Sequence, residues 1–583
     1  MSHIALDDGT GLVAVSSDYA NKNLMRDMGG RWDASRMVWL IAPTLTNMDK
    51  LVESLHDLSI QEGVSDLMER MADGHQRIEQ LKKISKSGED VHLRIPGIKL
   101  PLYNYQKVGV ASVMASGHGL LIADSMGLGK TIQGIASACL LKKQGKISNC
   151  LVVTPASLKW NWPIEIEKFT DETYVVVDGS PENRIVQWLR EDVFFHVVNY
   201  ELVLEDLFGG RAIEIKDDDS DKVKERKRKQ IKEAKKRKRL LTSVRTKVWG
   251  MICADECHFL KRPTAKRSRN IKRLRGCVRV GLTGTPLDGK LEELHSVMEF
   301  IMPGILGSRV RFLDRYAQTD WYGKVVGYHR KDEVKEKIAP FFIRRLKEQV
   351  LKDLPPKIYQ NRMVVMSAKE QRIYDSLASR AHELTEGSMI MTAIIRCKQF
   401  CDHPSLVEET CSSSKLEMFR SDIEDLVLEN GNKVLVFSQY TTMAEILKVE
   451  MEKMGINLFY IWSGTKAKDR ADMQKAFNED NSIDVMLGSE AMSLGLNFQA
   501  ATEVINYDDN WAPAIMAQRE DRAHRHGQKK TVTVINYVCV NTVEERIRKA
   551  LYAKSVVTDD ILDDNLDESV LRRLGPKDVA KLL

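Results

Sequence analysis

Short apolar runs rich in β-branched residues recur in two stretches of this chain, with segments of helical period between them. The first stretch holds GLLIADS, CLVVTP, TYVVVDG, FFHVVNY, VWGMICADE and VRVGLTGT between residues 119 and 285. The second holds KVLVFSQ, NLFYIWSG, DVMLGSE, TEVINYD and VTVINYVC between 433 and 539. Runs without polar alternation are strands covered on both faces, and intervening helices supply the cover. Each stretch therefore predicts an α/β layer on a parallel sheet.

The pattern changes outside these stretches. Residues 287–414 show long helical patterning with no comparable strand runs. LPPK at 354–357 breaks it, because proline cannot continue a helix and restricts the residue before it. In front lie strand-like GLVAVSS and then RWDASRMVWLIAP, which suggest a small α+β module over 1–58. A charged connecting helix is expected over 59–95. The remaining expected segments are a first lobe over 96–286, helical protrusions and a linker over 287–414, a second lobe over 415–555, and a C-terminal helical brace over 556–583. No 20–50-residue internal repeat appears beyond the doubling.

A chain of 583 residues is too long for one core, in keeping with several units. No apolar run reaches the roughly 18 residues of a membrane span. The opening MSHIALDDGTGLVAV lacks the basic start and sustained apolar stretch of a secretory signal. Nine scattered cysteines, an odd number, suit a reducing compartment. The expectation is a cytoplasmic or nucleoid-side protein in a bacterium or virus, or a nuclear one in a eukaryote. The net charge of +6 is local in origin: residues 222–239, KVKERKRKQIKEAKKRKR, hold twelve Lys/Arg against two Glu. Their +10 leaves −4 for everything else. This basic insertion, near 211–246, is either a grip on phosphates or a solvated helix.

Three features carry candidate chemistry. In ADSMGLGKT, Asp124 stands where a strict phosphate loop has its first glycine. Gly127 and Gly129 still let backbone N–H groups turn toward an anion, Lys130 opens a helix, and Thr131 is placed to ligate Mg²⁺. In MICADECHFLK, the strand ends in Asp255 and Glu256, a pair suited to holding a metal and activating water. In QREDRAHRHGQ, the spacing places Gln518, Arg522 and Arg525 on one helix face, where arginines can stabilise a phosphoryl group. The chemistry expected from the three is ATP bound in a cleft between the lobes and hydrolysed when they close.

ADSMGLGKT, DECH, LTGTP at 282–286, SLGLNFQAATEVINYDDNWAPA at 493–514 and QREDRAHRHGQ together resemble the Swi/Snf-type ATPases of helicase superfamily two. LVVTPASLKWNW, FFIRRLKEQVLKDLPPK, CKQFCDHP and SSKLE extend the resemblance over roughly 96–560. It implies two RecA-like lobes, ATP and Mg²⁺ as cofactors, and translocation along double-stranded DNA. It also implies roles for individual residues. Gln106 would read adenine, with Gln518 also at the nucleotide; Lys130 would bind phosphate; Thr131 and Asp255 would hold the metal. Glu256 would activate water, and Arg522 and Arg525 would act as fingers. Thr154, Thr283, Thr285, Gly495 and Asn497 would contact DNA or couple it to hydrolysis. Ser125 and Cys257 depart from the family pattern at positions that carry no chemistry.

Arg31-Trp32-Asp33 and then Trp39, followed by a short apolar strand, resemble the HARP module of annealing helicases. That resemblance implies recognition of branched DNA; alternatively, the tryptophans merely pack a small sheet. The function expected is an ATP-dependent duplex-DNA translocase that remodels forks or anneals strands. The alternatives are a translocase that displaces proteins or remodels chromatin, and a DNA-binding scaffold with weak ATPase. Cys397/Cys401/His403 and Cys253/Cys257/His258 lack a complete four-ligand spacing and read as structural cysteines.

Overall fold

The apolar runs become buried parallel strands in a computed structural model. It describes residues 2–548 apart from 8–11, 35, 56, 62, 88–89, 210–219, 285–289, 323–324, 352–353, 383–386, 491, 493–495, 511–512 and 526. Contacts divide the chain into two units, Met1–Val350 and Leu351–Leu583. Among the described residues, no helix is long and apolar enough to cross a membrane.

The first unit contains two large sheets. Its front sheet runs in the order Arg31–Asp33, Val38–Ile41, Val13–Ser16, Ser2–Leu6, Leu58–Ile60. The pairs are antiparallel except the last, which is parallel. Ile4, Val13, Val15, Trp39 and Ile41 from this sheet form one core with Met25, Met28 and Leu51. The helix Val64–Ser87 comes next, where a connecting helix was expected, and packs along Asn104–Ser116. A Cβ on Gly74 would come within 2.2 Å of the Ala115 carbonyl oxygen, so only glycine permits this approach.

The larger sheet has seven parallel strands in the order Phe342–Ile343, Gly119–Ile122, Arg275–Leu282, Val248–Asp255, Cys150–Thr154, Phe195–Asn199, Tyr174–Val176. Burial of side chains such as Leu120, Ile122, Val152, Val197, Cys253 and Val280 fixes these strands in the layer. Because they are parallel, Ile122, Thr154, Asp255 and Leu282 end at the same sheet edge. The basic insertion yields a helix, Asp221–Leu240, packed on Tyr200–Phe208.

The second unit holds a six-stranded parallel sheet in the order Lys357–Val364, Val532–Cys539, Glu503–Asn506, Val434–Phe437, Val485–Gly488, Leu458–Ile461. The two parallel sheets are the RecA-like lobes expected from sequence. The expectation of no strands across 287–414 needs correction. Lys357–Val364 pairs along all eight of its residues with Val532–Cys539. It escaped notice because KIYQNRMV is an edge strand with mostly exposed side chains and no apolar run. The same stretch contains the hairpin Ala317–Thr319/Val325–Tyr328 and the strand Phe342–Ile343. The expected brace at 556–583 lies outside the described residues.

Candidate functional site

The loop after Gly119–Ile122 turns through left-handed Gly127 and Gly129 into the helix Lys130–Lys143. A Cβ on Gly129 would meet the Gln106 amide nitrogen at 2.5 Å, so the loop must stay bare there. Lys130 Nζ donates to the carbonyl oxygens of Asp124 at 2.9 Å and Ser125 at 3.3 Å. The ammonium thus sits over the concavity of its own loop. Thr131, the next residue, lies in the first turn of the same helix. Gln106, expected at adenine, is buried: its amide oxygen accepts from Tyr103 N–H (3.0 Å) and its amide nitrogen donates to Leu128 O (3.3 Å).

Asp124 has a purpose that the loop pattern did not reveal. Its carboxylate is buried and accepts from Arg345 Nε at 2.9 Å, from a second Arg345 nitrogen, and from Gln133 Nε2 at 3.0 Å. Arg345 also donates to Gln133 Oε1 at 2.7 Å. Backbone bonds from Ala123 N–H to Ile343 O (2.8 Å) and from Ser125 N–H to Arg345 O (2.9 Å) tie the same segments. The loop is therefore clamped by the strand Phe342–Ile343 and the residues just after it. No spacing rule links residues 124 and 345.

The acidic pair ends a neighbouring strand. Asp255 accepts from Trp162 Nε1 at 2.8 Å, from the Thr154 hydroxyl at 3.1 Å and from Glu256 N–H at 3.0 Å. Its own carbonyl accepts from the Tyr200 hydroxyl at 2.9 Å. Burial, and then the Glu256 charge, push the Asp255 carboxyl up to about 6; the bonds from Trp162 and Thr154 and the Lys130 charge oppose that shift. Glu256 has a φ of 47°, in left-handed territory where a side chain is strained. Its carboxylate lies 3.1 Å from His258 Nδ1, which is also 3.1 Å from the Thr283 hydroxyl. His258 thereby joins the acidic pair to the strand end bearing Thr283, a bridge that DECH contained but sequence reasoning missed.

Thr154, expected to contact DNA or to couple it to hydrolysis, is fully buried, and its hydroxyl donates to Asp255. Thr283 is likewise buried. Thr285 and Gly495 lie outside the described residues.

In the second unit, Asn497 N–H donates to Gln474 Oε1 at 3.0 Å and its carbonyl accepts from Asn478 at 2.8 Å. The helix carrying Gln518 is Pro513–Glu520, so Gln518, Arg522 and Arg525 do not share one continuous helical face. Beyond Glu520 the bonding is mixed: Arg522 N–H to Arg519 O and Ala523 N–H to Glu520 O reach back three residues, whereas Asp521 N–H to Ala517 O and His524 N–H to Glu520 O reach back four. Arg522 donates to the carbonyls of Gln518 (3.1 Å) and Leu496 (2.8 Å). Arg519, which sequence did not single out, is fully buried and donates to Asp508 O at 3.0 Å. The Asp508 carboxylate in turn accepts from the Ser438 hydroxyl at 2.5 Å and Gln439 N–H at 3.0 Å.

Trp32 and Trp39 face each other across adjacent strands with ring centroids 5.2 Å apart. Trp39 is buried, whereas Trp32 is 46% exposed. Arg31 shares the Trp32 strand. Of the cysteines considered, Cys401 meets Cys539 and Glu544 rather than Cys397 or His403. The Lys415 ammonium, 2.7 Å from Glu544 and 2.8 Å from Asp402, already supplies a cation there.

A model of the SNF2-related domain matches residues 39–406, and one of the helicase conserved C-terminal domain matches 418–527. The putative ATP-dependent helicase/translocase YwqA of Bacillus subtilis (strain 168) is 29% identical over 515 residues, covering 84% of this chain and 52% of its own. The human SWI/SNF-related matrix-associated actin-dependent regulator of chromatin subfamily A member 1 is 28% identical over 477 residues, covering 77% and 42%. The solved Sulfolobus solfataricus SWI2/SNF2 ATPase core in complex with dsDNA is 28% identical, covering 81% of this chain and 95% of its own, with a TM-score of 0.39. This chain spans about half the length of the curated relatives it matches.

Proposed function

The chain belongs to the SNF2-related family, and on that premise we propose that it is a DNA-dependent ATPase that translocates along double-stranded DNA. The observation that carries this reading is one sheet edge bearing both the Lys130 loop and the Asp255–Glu256 pair. The residues suit Mg²⁺: adjacent carboxylates, one pushed up to about 6 by burial and its neighbour's charge, gain from a divalent cation. When bound with ATP, that ion supplies charge neutralisation at the phosphates. Lys130 exchanges its loop carbonyls for phosphate oxygens, with Gly127, Gly129 and Thr131 completing the cradle. Thr154 and Trp162 hold the Asp255 carboxylate in place, and Glu256 takes the proton of the attacking water. Arg522 and Arg525 stabilise the developing charge, and Gln518 contacts the nucleotide. His258 and Thr283, with Thr285, Gly495 and Asn497, couple the reaction to DNA.

Within this activity, fork remodelling or strand annealing is the preferred task. The small sheet at 1–58 supports it, because Trp32 remains exposed to stack on a displaced base. In this assignment 59–95 connects the module to a first lobe over 96–286, 287–414 carries the protrusions and linker together with the edge strands Phe342–Ile343 and Lys357–Val364, and 415 onward continues the second lobe. The setting is the nucleoid or cytoplasm of a bacterium or virus, or a eukaryotic nucleus. Similarity to a chromatin regulator supports a second reading, displacement of proteins from duplex DNA.

The test is ATP hydrolysis by the full chain with no DNA, single strands, blunt duplex and a forked junction, alongside Lys130→Ala and Trp32→Ala. Fork preference lost in Trp32→Ala supports fork remodelling. Equal stimulation by every duplex favours the second reading. No stimulation by any DNA would sink the translocase itself, and function surviving in Lys130→Ala would leave a scaffold.

A further inference from the structure

The helix Asp221–Leu240 has no place in the ATP chemistry, yet it changes the sign of the whole chain's charge. We propose that it is a separate, sequence-independent grip for the phosphodiester backbone of duplex DNA; this rests on the translocase reading. Lys224, Lys227 and Ile231 are half-buried positions, spaced three and four apart, and they define the face laid against the lobe. Lys222, Lys229 and Lys236 recur every seven residues on the opposite side, and all three are exposed. A rise of 1.5 Å per residue sets them about 10 Å apart along one line. Arg226, Lys232 and Arg239 flank that line and are exposed as well.

Two physical arguments favour a polyanion over water as the partner. Like charges at i,i+4, such as Lys222/Arg226, Arg228/Lys232, Lys232/Lys236 and Lys235/Arg239, repel within the helix, and across 222–239 only Glu225 and Glu233 offset them. Bound phosphates relieve that repulsion. The rest of the chain carries −4 and on balance repels DNA, whereas duplex DNA presents one charge per roughly 1.7 Å of axis. Attraction must then come from local basic surfaces, and this segment holds the densest run of positive charge in the sequence.

The experiment measures full-chain affinity for a blunt duplex by fluorescence anisotropy across a salt series. It compares wild type with the joint variant Lys222→Gln, Lys229→Gln, Lys236→Gln, and with arginine at the same three positions. Losing three phosphate contacts lowers the slope of log K against log salt by about 2.7, whereas the arginine variant keeps the wild-type slope. Binding with an unchanged slope in the glutamine variant overturns the proposal and leaves a solvated face or a basic address read by another protein. A wild-type chain that binds no duplex at any salt overturns the translocase reading first, so the two failures are distinguishable. Circular dichroism of both variants checks that the helix persists.

Discussion

The two parallel sheets share an architecture and differ in the chemistry at their ends. The first carries a lysine loop and an acidic pair, with the critical carboxylates held by side chains: Asp255 by Trp162 and Thr154, Asp124 by Arg345 and Gln133. In the second, it is the arginines beside Gln518 that are tied to main-chain carbonyls: Arg519 to Asp508 and Arg522 to Leu496 and Gln518. A parallel sheet sets where strand ends meet, and the loop leaving each strand decides the chemistry available there. Carboxylates that need tuning gain from buried donors. Guanidiniums, charged at any ordinary pH, need only orientation.

The strongest test of that contrast is on the arginine side. Arg525→Ala lowers the hydrolysis rate by roughly 10³-fold or more while ATP still binds, measured by single-turnover hydrolysis and equilibrium binding. Glu256→Gln costs about 10²–10⁴ in kcat with nucleotide affinity retained. Asp124→Asn leaves the Arg345 charge buried without its partner and costs about 3–5 kcal/mol, seen in denaturant unfolding. A loss below about 1 kcal/mol would show that this clamp adds little to the loop's order.

Acidity separates the units in opposite directions. Burial pushes His196 and His295, both in the first unit, down to about 4. The unfolded chain protonates these groups near 6.5, so stability of the first unit falls as pH drops through the window from about 6.5 to 4. Burial pushes Glu503, in the second unit, up to about 7. The folded form keeps that proton while the unfolded chain releases it near 4.3, so this contribution falls as pH rises from there to about 7. Asp255 in the first unit, pushed up to about 6, partly opposes the two histidines, so moving from about pH 7 to pH 5 loosens the first unit by the histidines' excess and tightens the second. Hydrogen exchange, corrected for intrinsic rates, checks this on Phe195–Asn199 and Glu503–Asn506; a parallel response of the two strands would refute it.

The smallest effect lies in the front module. Trp32→Ala loses only the ring pair, about 0.5–1.5 kcal/mol, whereas Trp39→Ala empties a buried site and costs roughly 3–5 kcal/mol. Local thermal unfolding of the module distinguishes them, and equal losses would mean that the exposed ring packs as tightly as the buried one.

Legibility in the sequence obeys the same physics. Strands such as Gly119–Ile122 and Cys150–Thr154 announce themselves because both faces are covered; Lys357–Val364 stays silent because its edge faces water. The Lys130 loop and Asp255–Glu256 are local patterns and could be read directly. The Asp124–Arg345 clamp spans 221 positions, and the Thr154–Asp255 bond spans 101, so no local spacing could reveal either. The end of the arginine helix at Glu520 was equally hidden, since the turns beyond it keep spacings of three and four without continuing the α-helix.

Glu256 in its left-handed backbone has a practical corollary for anyone evolving this protein. Glycine or asparagine would occupy that φ at lower cost, by about 1 kcal/mol or more. If Glu256 is the proposed base, a campaign that ranks variants by heat resistance alone would enrich replacements at this position and deliver durable proteins that no longer turn over ATP. Melting temperature and turnover pull in opposite directions at this one codon, so a library must be scored on both.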